Sequence, residues 1–480
     1  MTHDRRLGRD VAVYGLSTVL VQVVAVVTTP VYTRALGPAG YGVLELLTVT
    51  VSFVITALFE GMGVAAVRLY FSEPEDRRVS LVSTGFFSTV SVTILGAIVA
   101  VAAAHPLARA LVGTNTAATA VTAAAIYLPV AVAARFSAEV LRVQRRPWPF
   151  LISAVLAAGV GGATAVALVV VADEGVRGVY YGLTAGAAAA LVTNLVLARR
   201  ALALRFSAEQ LRRLVAFGGP LVLSALGGWS LVLVDRVILA QFVSLPEVGF
   251  YGLANRLAGV LLIATYAFGT AWAPYILGLH AEDPRAEARI RADVLRHWLA
   301  GTAVMAVLVA AVSREAVEII AGAEFVPAAE VIPVLALAYL LFATLTVTQT
   351  PFLIEHRTGE MARLSIVAAV VNIGACFVLI PPWGIHGAAI ATVAGFGFQA
   401  AAYYRRSQQR LPAPYDGRRM ATAIGMALPF LAVGWIDVDP VVLGVVLKVA
   451  AAAAFAVLLV VLRIVDLGRL RAELKMVFSG

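Results

Sequence analysis

Residues 148–172 read WPFLISAVLAAGVGGATAVALVVVA and contain no charged side chain. A helix needs about 20 mostly apolar residues to cross the hydrocarbon core of a bilayer. Within that core, a helix also satisfies its backbone polar groups by hydrogen bonds of its own. This stretch therefore predicts a membrane-spanning α-helix.

Apolar runs of similar length recur along the rest of the chain. They predict an all-α, polytopic membrane protein with 14 transmembrane helices. The predicted spans are residues 10–33, 41–67, 79–104, 116–141, 148–172, 178–198, 214–243, 248–279, 292–312, 329–354, 362–381, 386–404, 420–437 and 441–463.

The composition of the whole chain agrees with this prediction. Of its 480 residues, 61% are hydrophobic and 14% are charged, whereas soluble domains average roughly 45–50% apolar and about 25% charged residues. A soluble enzyme, a secreted disulfide scaffold and a disordered protein are excluded. The net charge is +9, but the basic residues lie in short loops between the apolar runs. This placement favours an orientation signal over nucleic-acid binding.

The basic residues also predict how the chain is oriented. With the N-terminus in the cytoplasm, 29 of the 37 Lys and Arg residues fall in cytoplasmic segments, 4 in outer segments and 4 inside spans. A missed helix would invert every later loop and destroy this asymmetry. We therefore expect an even number of spans, a multi-pass protein of the inner (plasma) membrane, and N- and C-termini in the cytoplasm.

A weak internal repeat divides the predicted spans into two groups of six. The segment that begins at Gly175 matches the one that begins at Gly384, and Gly178 and Gly186 match Gly387 and Gly395 at the same offset. Because six is even, both groups start on the same side of the membrane. The repeat predicts two six-helix lobes related by a parallel pseudo-two-fold axis. The expected division is residues 1–200 (N-lobe), 201–410 (C-lobe) and 411–480 (a helix pair and a tail).

Two motifs carry a family resemblance. The first is YTRALGPAGYG at residues 32–42, and the second comprises VDRVIL at residues 234–239 and VGFYGLANRL at residues 248–257. They resemble bacterial polysaccharide (O-antigen-type oligosaccharide) flippases, which belong to the multidrug/oligosaccharidyl-lipid/polysaccharide exporter superfamily. The resemblance extends over the whole chain in its count of spans. It implies transport of a polyprenyl-(pyro)phosphate-linked oligosaccharide by alternating access, with a tail-binding groove at spans 13 and 14.

Charged residues inside the predicted spans are the candidate site. A lone charge at the centre of a spanning helix costs about 2.5–3.5 kcal/mol, so such residues are expected to face partners or a wet cavity. Arginine suits a lipid phosphate because its planar fork binds phosphate oxygens in pairs. The predicted substrate-binding residues are Arg135, Arg236, Arg256 and Asn255. The predicted ion-coupling residues or members of buried ion pairs are Asp235, Glu60 and Glu139.

Estimated depth suggests which of these charges are paired. Asp235 and Arg256 each lie about 12 Å below the outer face on adjacent helices, so we expect them to pair and Arg236 to point elsewhere. Arg135 has Glu139 one turn away on its own helix. Lys448 is expected to extend toward the outer membrane surface. Structural ion pairs that lock helices together are the alternative interpretation of all these residues.

The sequence contains no motif that is typical of another functional class. The chain has one cysteine, Cys376, and no nucleotide-binding or metal-binding motif, so no catalytic residue, metal or cofactor is predicted. The short outer loops argue against a membrane enzyme. The expected partners are the lipid-linked glycan and membrane lipid, with pathway glycosyltransferases or a polymerase as candidates. A proton- or sodium-coupled multidrug exporter of the same superfamily is the alternative function.

Overall fold

The computed structural model describes residues 2–198, 202–436, 438, 440–466 and 468. Two compact units divide the chain, Met1–Trp229 and Ser230–Gly480. Every regular element in the described ranges is helical, which confirms the all-α prediction. The division into three parts at residues 200 and 410 stays a prediction.

The first unit contains seven complete helices and the start of an eighth. They are α1 (Thr2–Leu58), α2 (Val64–Tyr70), α3 (Glu75–Ala102), α4 (Ala104–Val112), α5 (Ala118–Val143), α6 (Pro147–Val170), α7 (Gly175–Leu197) and α8 (Ala208–Leu239). One π-helical turn, Phe59–Gly63, joins α1 to α2, and a 3₁₀ turn, Asn115–Ala117, leads into α5. Helix α7 packs along α6 and α5, and α1 packs against α6.

The second unit begins within α8 and, in its described residues, contains ten further helices. They are α9 (Leu245–Ala258), α10 (Val260–Glu282), α11 (Pro284–Ala311), α12 (Ser313–Ala321), α13 (Ile332–Ala343), α14 (Leu345–Thr348), α15 (Thr350–Ile354), α16 (Thr358–Arg410), α17 (Gly417–Leu431) and α18 (Val441–Val461). Short 3₁₀ segments, Ala323–Glu330 and Ala432–Trp435, precede α13 and follow α17. Helix α11 is central, since it contacts α10, α13, α17 and α18.

The structure supports fewer spanning helices than the fourteen that the sequence predicted. Within the described residues, 10 helices are long and apolar enough to cross a membrane, or up to 11 if the bent pair Ala208–Val222 and Ala225–Leu239 counts as one span. These helices support a multi-pass membrane protein, but they do not confirm the count of fourteen. Over predicted span 13 the structure has α17, whose 15 residues are fewer than the roughly 20 that a span needs, followed directly by the 3₁₀ segment Ala432–Trp435.

Two of these helices contain a break where the sequence predicted a turn. Gly37 in α1 has φ 64° and ψ 177°, and Gly384 in α16 has φ 51° and ψ −128°. Both backbone conformations strongly favour glycine, because a Cβ atom clashes there. Helix α16, with 53 residues, would measure about 80 Å if straight, far more than one membrane thickness. Each long helix is therefore two helical segments joined at a glycine.

Two of the repeated glycines lie where neighbouring helical segments approach each other closely. A Cβ atom at Gly186 of α7 would overlap the carbonyl oxygen of Ala157 in α6, and one at Gly387 of α16 would overlap the carbonyl oxygen of Leu379. Small residues at such crossings allow the backbones of membrane helices to pack together. Gly186 and Gly387, which are not partners of each other in the repeat, thus each allow a close approach within their own unit. The pseudo-two-fold relation between the units is not confirmed.

Candidate functional site

Arg135 is an exposed cation within an apolar helix. It lies in α5, eight residues before Val143, or about 12 Å from the end of the helix. Its guanidinium carbon lies 4.4 Å from the centre of the Phe59 ring, within the range of a cation–π contact. The ring is buried while the arginine remains exposed. Phe59 therefore supports one side of the guanidinium and leaves the rest of it accessible.

The turn that carries Phe59 has an unusual backbone. Phe59–Gly63 form a π-helical turn, a conformation that often marks functional sites. Helix α8 packs closely on this turn, since a Cβ atom at Gly218 would overlap the carbonyl oxygen of Gly61. Glu60 belongs to the same turn and is half-buried. Close packing by glycine thus helps to position the residues next to Arg135.

The three charged residues predicted for this unit, Arg135, Glu60 and Glu139, lie near one another, but their pairing differs from the expected one. Glu139 interacts electrostatically with Arg142, Arg135 and Glu60. Its ion pair is with Arg142, at 3.0 Å, rather than with Arg135. The two partners of Glu139 are available because both lie within about one helical turn of it. Arg135 instead stacks on Phe59, which belongs to another element.

Asp235 is the centre of a buried polar cluster in the second unit. Its side chain is 1% exposed, and its carboxylate accepts hydrogen bonds from the hydroxyl groups of Tyr251 at 2.5 Å and Thr392 at 3.3 Å. The backbone N–H of Arg236 also donates to it, at 2.8 Å. Helices α8, α9 and α16 therefore meet at one carboxylate.

The predicted Asp235–Arg256 pair was wrong. The ion partner of Asp235 is Arg236, whose Nη1 lies 3.7 Å from the carboxylate, so the expectation that Arg236 points elsewhere was also wrong. The long Arg236 side chain folds back along α8 and donates to the carbonyl of Val232 at 2.9 Å. Arg256 is exposed and lies five residues after Tyr251, about 140° around α9.

Asn255 extends the cluster to a fourth helix. Its side-chain oxygen accepts a hydrogen bond from the hydroxyl of Tyr339 in α13 at 2.7 Å, and its amide donates to the carbonyl of Tyr251 at 3.0 Å. Only 3% of Asn255 is exposed. In this conformation the side chain of Asn255, a predicted substrate-binding residue, is therefore hydrogen-bonded inside the protein.

Lys448 does not extend to the membrane surface as expected. It is 2% exposed, and its Nζ donates to Glu315 of α12 at 2.7 Å. A buried carboxylate compensates the charge at depth, so the side chain has no need to reach water. This pair fixes α18 to the second unit.

Sequence reasoning missed the neutral partners of these charges. Tyr251 lies in a motif that the sequence singled out, four residues before Asn255 and on the same face of α9, which was an available signal. Phe59, Tyr339 and Thr392 are ordinary residues of apolar helices, and nothing in the sequence singled them out. Within the described ranges, no group of three or more His, Cys, Asp or Glu residues is placed to hold a metal ion.

The arrangement offers two kinds of chemistry. In the first unit, an exposed guanidinium beside an aromatic ring suits an anion such as a phosphate. In the second unit, a buried carboxylate surrounded by hydroxyl groups suits the uptake and release of a proton or a small cation.

Comparison with known proteins identifies the family of the chain. Residues 7–280 match the family described as polysaccharide biosynthesis protein. A probable low-salt glycan biosynthesis flippase, Agl15 of Haloferax volcanii, is 24% identical over 244 residues, which are 50% of this chain and 48% of that protein. The match therefore spans about half the length of that relative.

Solved structures share the fold at low sequence identity. The lipid II flippase MurJ in an inward closed conformation superimposes with a TM-score of 0.77 at 12% identity, covering 93% of this chain and 97% of that one. An inward-facing multidrug resistance MATE family transporter of the MOP superfamily gives a TM-score of 0.65 at 15% identity, covering 82% and 94%. Since the family match covers more than half of the chain, this protein belongs to the polysaccharide biosynthesis protein family and has the fold of these transporters.

Proposed function

We propose that the protein flips a polyprenyl-(pyro)phosphate-linked oligosaccharide from the inner to the outer leaflet of the plasma membrane for cell-surface polysaccharide synthesis. The proposal includes alternating access by two six-span lobes and a trailing pair, with both termini cytoplasmic. Family membership and the glycan-related names of similar proteins support this cargo. Glycosyltransferases or a polymerase of the same pathway would supply or consume it.

The exposed guanidinium of Arg135 is the observation that carries this proposal. A charge placed about 12 Å inside a spanning helix has a substantial energetic cost. Its retention at an accessible position suits a ligand of opposite charge. Arginine binds phosphate oxygens through two parallel hydrogen bonds, so the phosphate of the carrier is the proposed ligand of Arg135. Phe59 limits the orientations that the guanidinium can take.

The residues of the second unit have a different proposed role. Arg256 is exposed and is proposed as a further phosphate ligand. Arg236 and Asn255 are proposed to reach the substrate in another conformation, since here they are engaged with Asp235 and Tyr339.

Asp235 is the proposed coupling residue, because protonation or cation binding there would weaken its ion pair with Arg236. Glu60 and Glu139 are proposed to tune the charge around Arg135.

Export of the surface glycan tests this function directly. We expect Arg135→Ala and Arg236→Ala to abolish export while the protein still inserts into the membrane. The matched control is Arg109→Ala, which removes an exposed arginine of helix α4 in the same unit. Export is measured by immunodetection of surface glycan, and protein amount by quantifying the purified membrane fraction. Normal export by both variants would contradict a ligand role for these arginines.

A cation-coupled drug exporter is the second candidate. The MATE family match in fold favours it, whereas the accessible bases Arg135 and Arg256 suit anionic cargo better than cationic drugs. Ethidium efflux from cells that express the protein separates the two. Strong efflux by the wild type that Asp235→Asn abolishes would favour the exporter. If the wild type shows no efflux and Asp235→Asn loses glycan export, the flippase is favoured.

A further inference from the structure

Two apolar cavities of the first unit lie next to each other along helix α3. One, of about 400 Å³, lies among α1, α3, α4 and α5. The other, of about 500 Å³, lies among α1, α3 and the start of α8. Leu58 and Val92 line both of them. We call these two neighbouring cavities together the α3 groove. Val92 is 55% exposed, so the groove opens at the surface of the unit.

The lining of the first cavity suits a hydrocarbon. Its apolar side chains come from all four helices, and its two hydroxyl groups are already bonded within their own helices. Thr50 donates to the carbonyl of Leu46 at 2.9 Å, and Thr93 to that of Thr89 at 2.8 Å. A polar ligand would therefore lose hydrogen bonds to water and gain few here. An apolar chain would instead gain burial.

The dimensions of the α3 groove fit an extended lipid chain. Phe87 lines the second cavity and Ala100 the first. These residues are thirteen positions apart on α3, about 20 Å along its axis. The hydrocarbon core of a bilayer is about 30 Å thick. The groove thus follows α3 through about two thirds of the thickness of the hydrocarbon core.

The α3 groove lies near the candidate phosphate site. Leu58, which lines both cavities, directly precedes Phe59, on whose ring Arg135 rests. On α5, Leu128 lines the first cavity. Arg135 follows Leu128 by seven residues, or two turns, so both lie on one face of that helix, about 10 Å apart. An apolar space and an exposed cation therefore lie about two helical turns apart on α5, a spacing that suits a molecule with a phosphate head and a hydrocarbon tail.

We propose that the α3 groove holds the polyprenyl tail of the lipid-linked substrate while its phosphate is bound at Arg135. The inference rests on the proposed flippase function and adds the place of the tail. It locates the tail in the first unit rather than at predicted spans 13 and 14.

A glycine in the groove allows a test by filling the space. Gly96 lines the first cavity, and a Cβ atom there would meet nothing within 4 Å, so Gly96→Leu occupies the groove without a clash at Cβ. Gly159 of α6 is also exposed and equally open, but it lies outside the groove. Gly159→Leu is therefore the matched control, with the same added side chain in the same unit.

The assay measures binding of two phosphates to the purified full-length protein by native mass spectrometry. Undecaprenyl phosphate has a long tail, whereas geranyl phosphate has only two isoprene units. We expect Gly96→Leu to weaken binding of undecaprenyl phosphate about tenfold, since the buried tail loses its apolar contacts. Geranyl phosphate should bind as in the wild type, which also shows that the variant is folded. Gly159→Leu should bind both as the wild type does.

The other outcomes separate the two proposals. If the wild-type protein binds both phosphates and Gly96→Leu keeps full affinity for undecaprenyl phosphate, the tail lies elsewhere and the groove assignment is overturned. The flippase proposal would then stand. If the wild-type protein binds neither phosphate, the proposed function and the inference that rests on it both fail.

Discussion

At the scale of single residues, three arginines of similar predicted depth have three different environments. Arg135 is exposed and stacked on Phe59, Arg236 is buried beside Asp235, and Arg256 is exposed on α9. Depth follows from position in a helix, but the environment depends on which other helix faces the side chain. The buried Arg236 is paired with the buried Asp235, whereas Arg135 and Arg256 are exposed.

The Asp235–Arg236 pair gives a prediction that separates folding from transport. Arg236→Gln should lower the stability of the purified protein by about 3 kcal/mol, because a buried carboxylate loses its compensating cation. Adding Asp235→Asn should restore most of that loss, while glycan export stays defective in both variants. Thermal unfolding in detergent measures the first effect and surface glycan the second. If the double variant is no more stable than Arg236→Gln, the pair does not contribute in this way.

At the scale of elements, the motif glycines determine how helices pack. Gly186 and Gly387 were noted in the sequence only as members of a repeat, and in the structure both lie where backbone meets backbone. The breaks at Gly37 and Gly384 lie at two predicted turns. At these four positions glycine marks a turn or a close approach, because both depend on the missing Cβ atom, whereas Gly96 and Gly159 lie within helices next to open space. The sequence did not reveal the π-helical turn at Phe59–Gly63 or the shortness of α17.

The close approach of α6 and α7 predicts the effect of a larger side chain. Gly186→Leu should destabilise the protein by at least about 1–3 kcal/mol, since overpacking forces the backbones apart. Gly159→Leu, on the neighbouring helix with open space at Cβ, should leave the melting temperature nearly unchanged. Yield after size-exclusion chromatography and the melting temperature measure both variants. Equal melting temperatures would contradict the importance of this crossing.

At the scale of the whole molecule, the basic residues predict a topology that labelling can test. In a Cys376→Ser background, Asn115→Cys should react with a membrane-impermeant maleimide in intact cells, because residue 115 is expected outside. Gln144→Cys should react only after permeabilisation, because residue 144 is expected in the cytoplasm. The reverse pattern would invert the predicted orientation, and labelling of both sites in intact cells would contradict a span between them.

Sequence alone determined the class of this molecule, because transfer of a helix into lipid depends on the summed polarity of about 20 consecutive residues. It also identified the charged residues of the candidate site, since a charge within such a run stands out locally. Only the tertiary structure decided their partners. Arg236 rather than Arg256 accompanies Asp235, and Thr392, far along the chain, completes the cluster. These contacts depend on the packing and rotation of separate helices, which no local run of residues specifies.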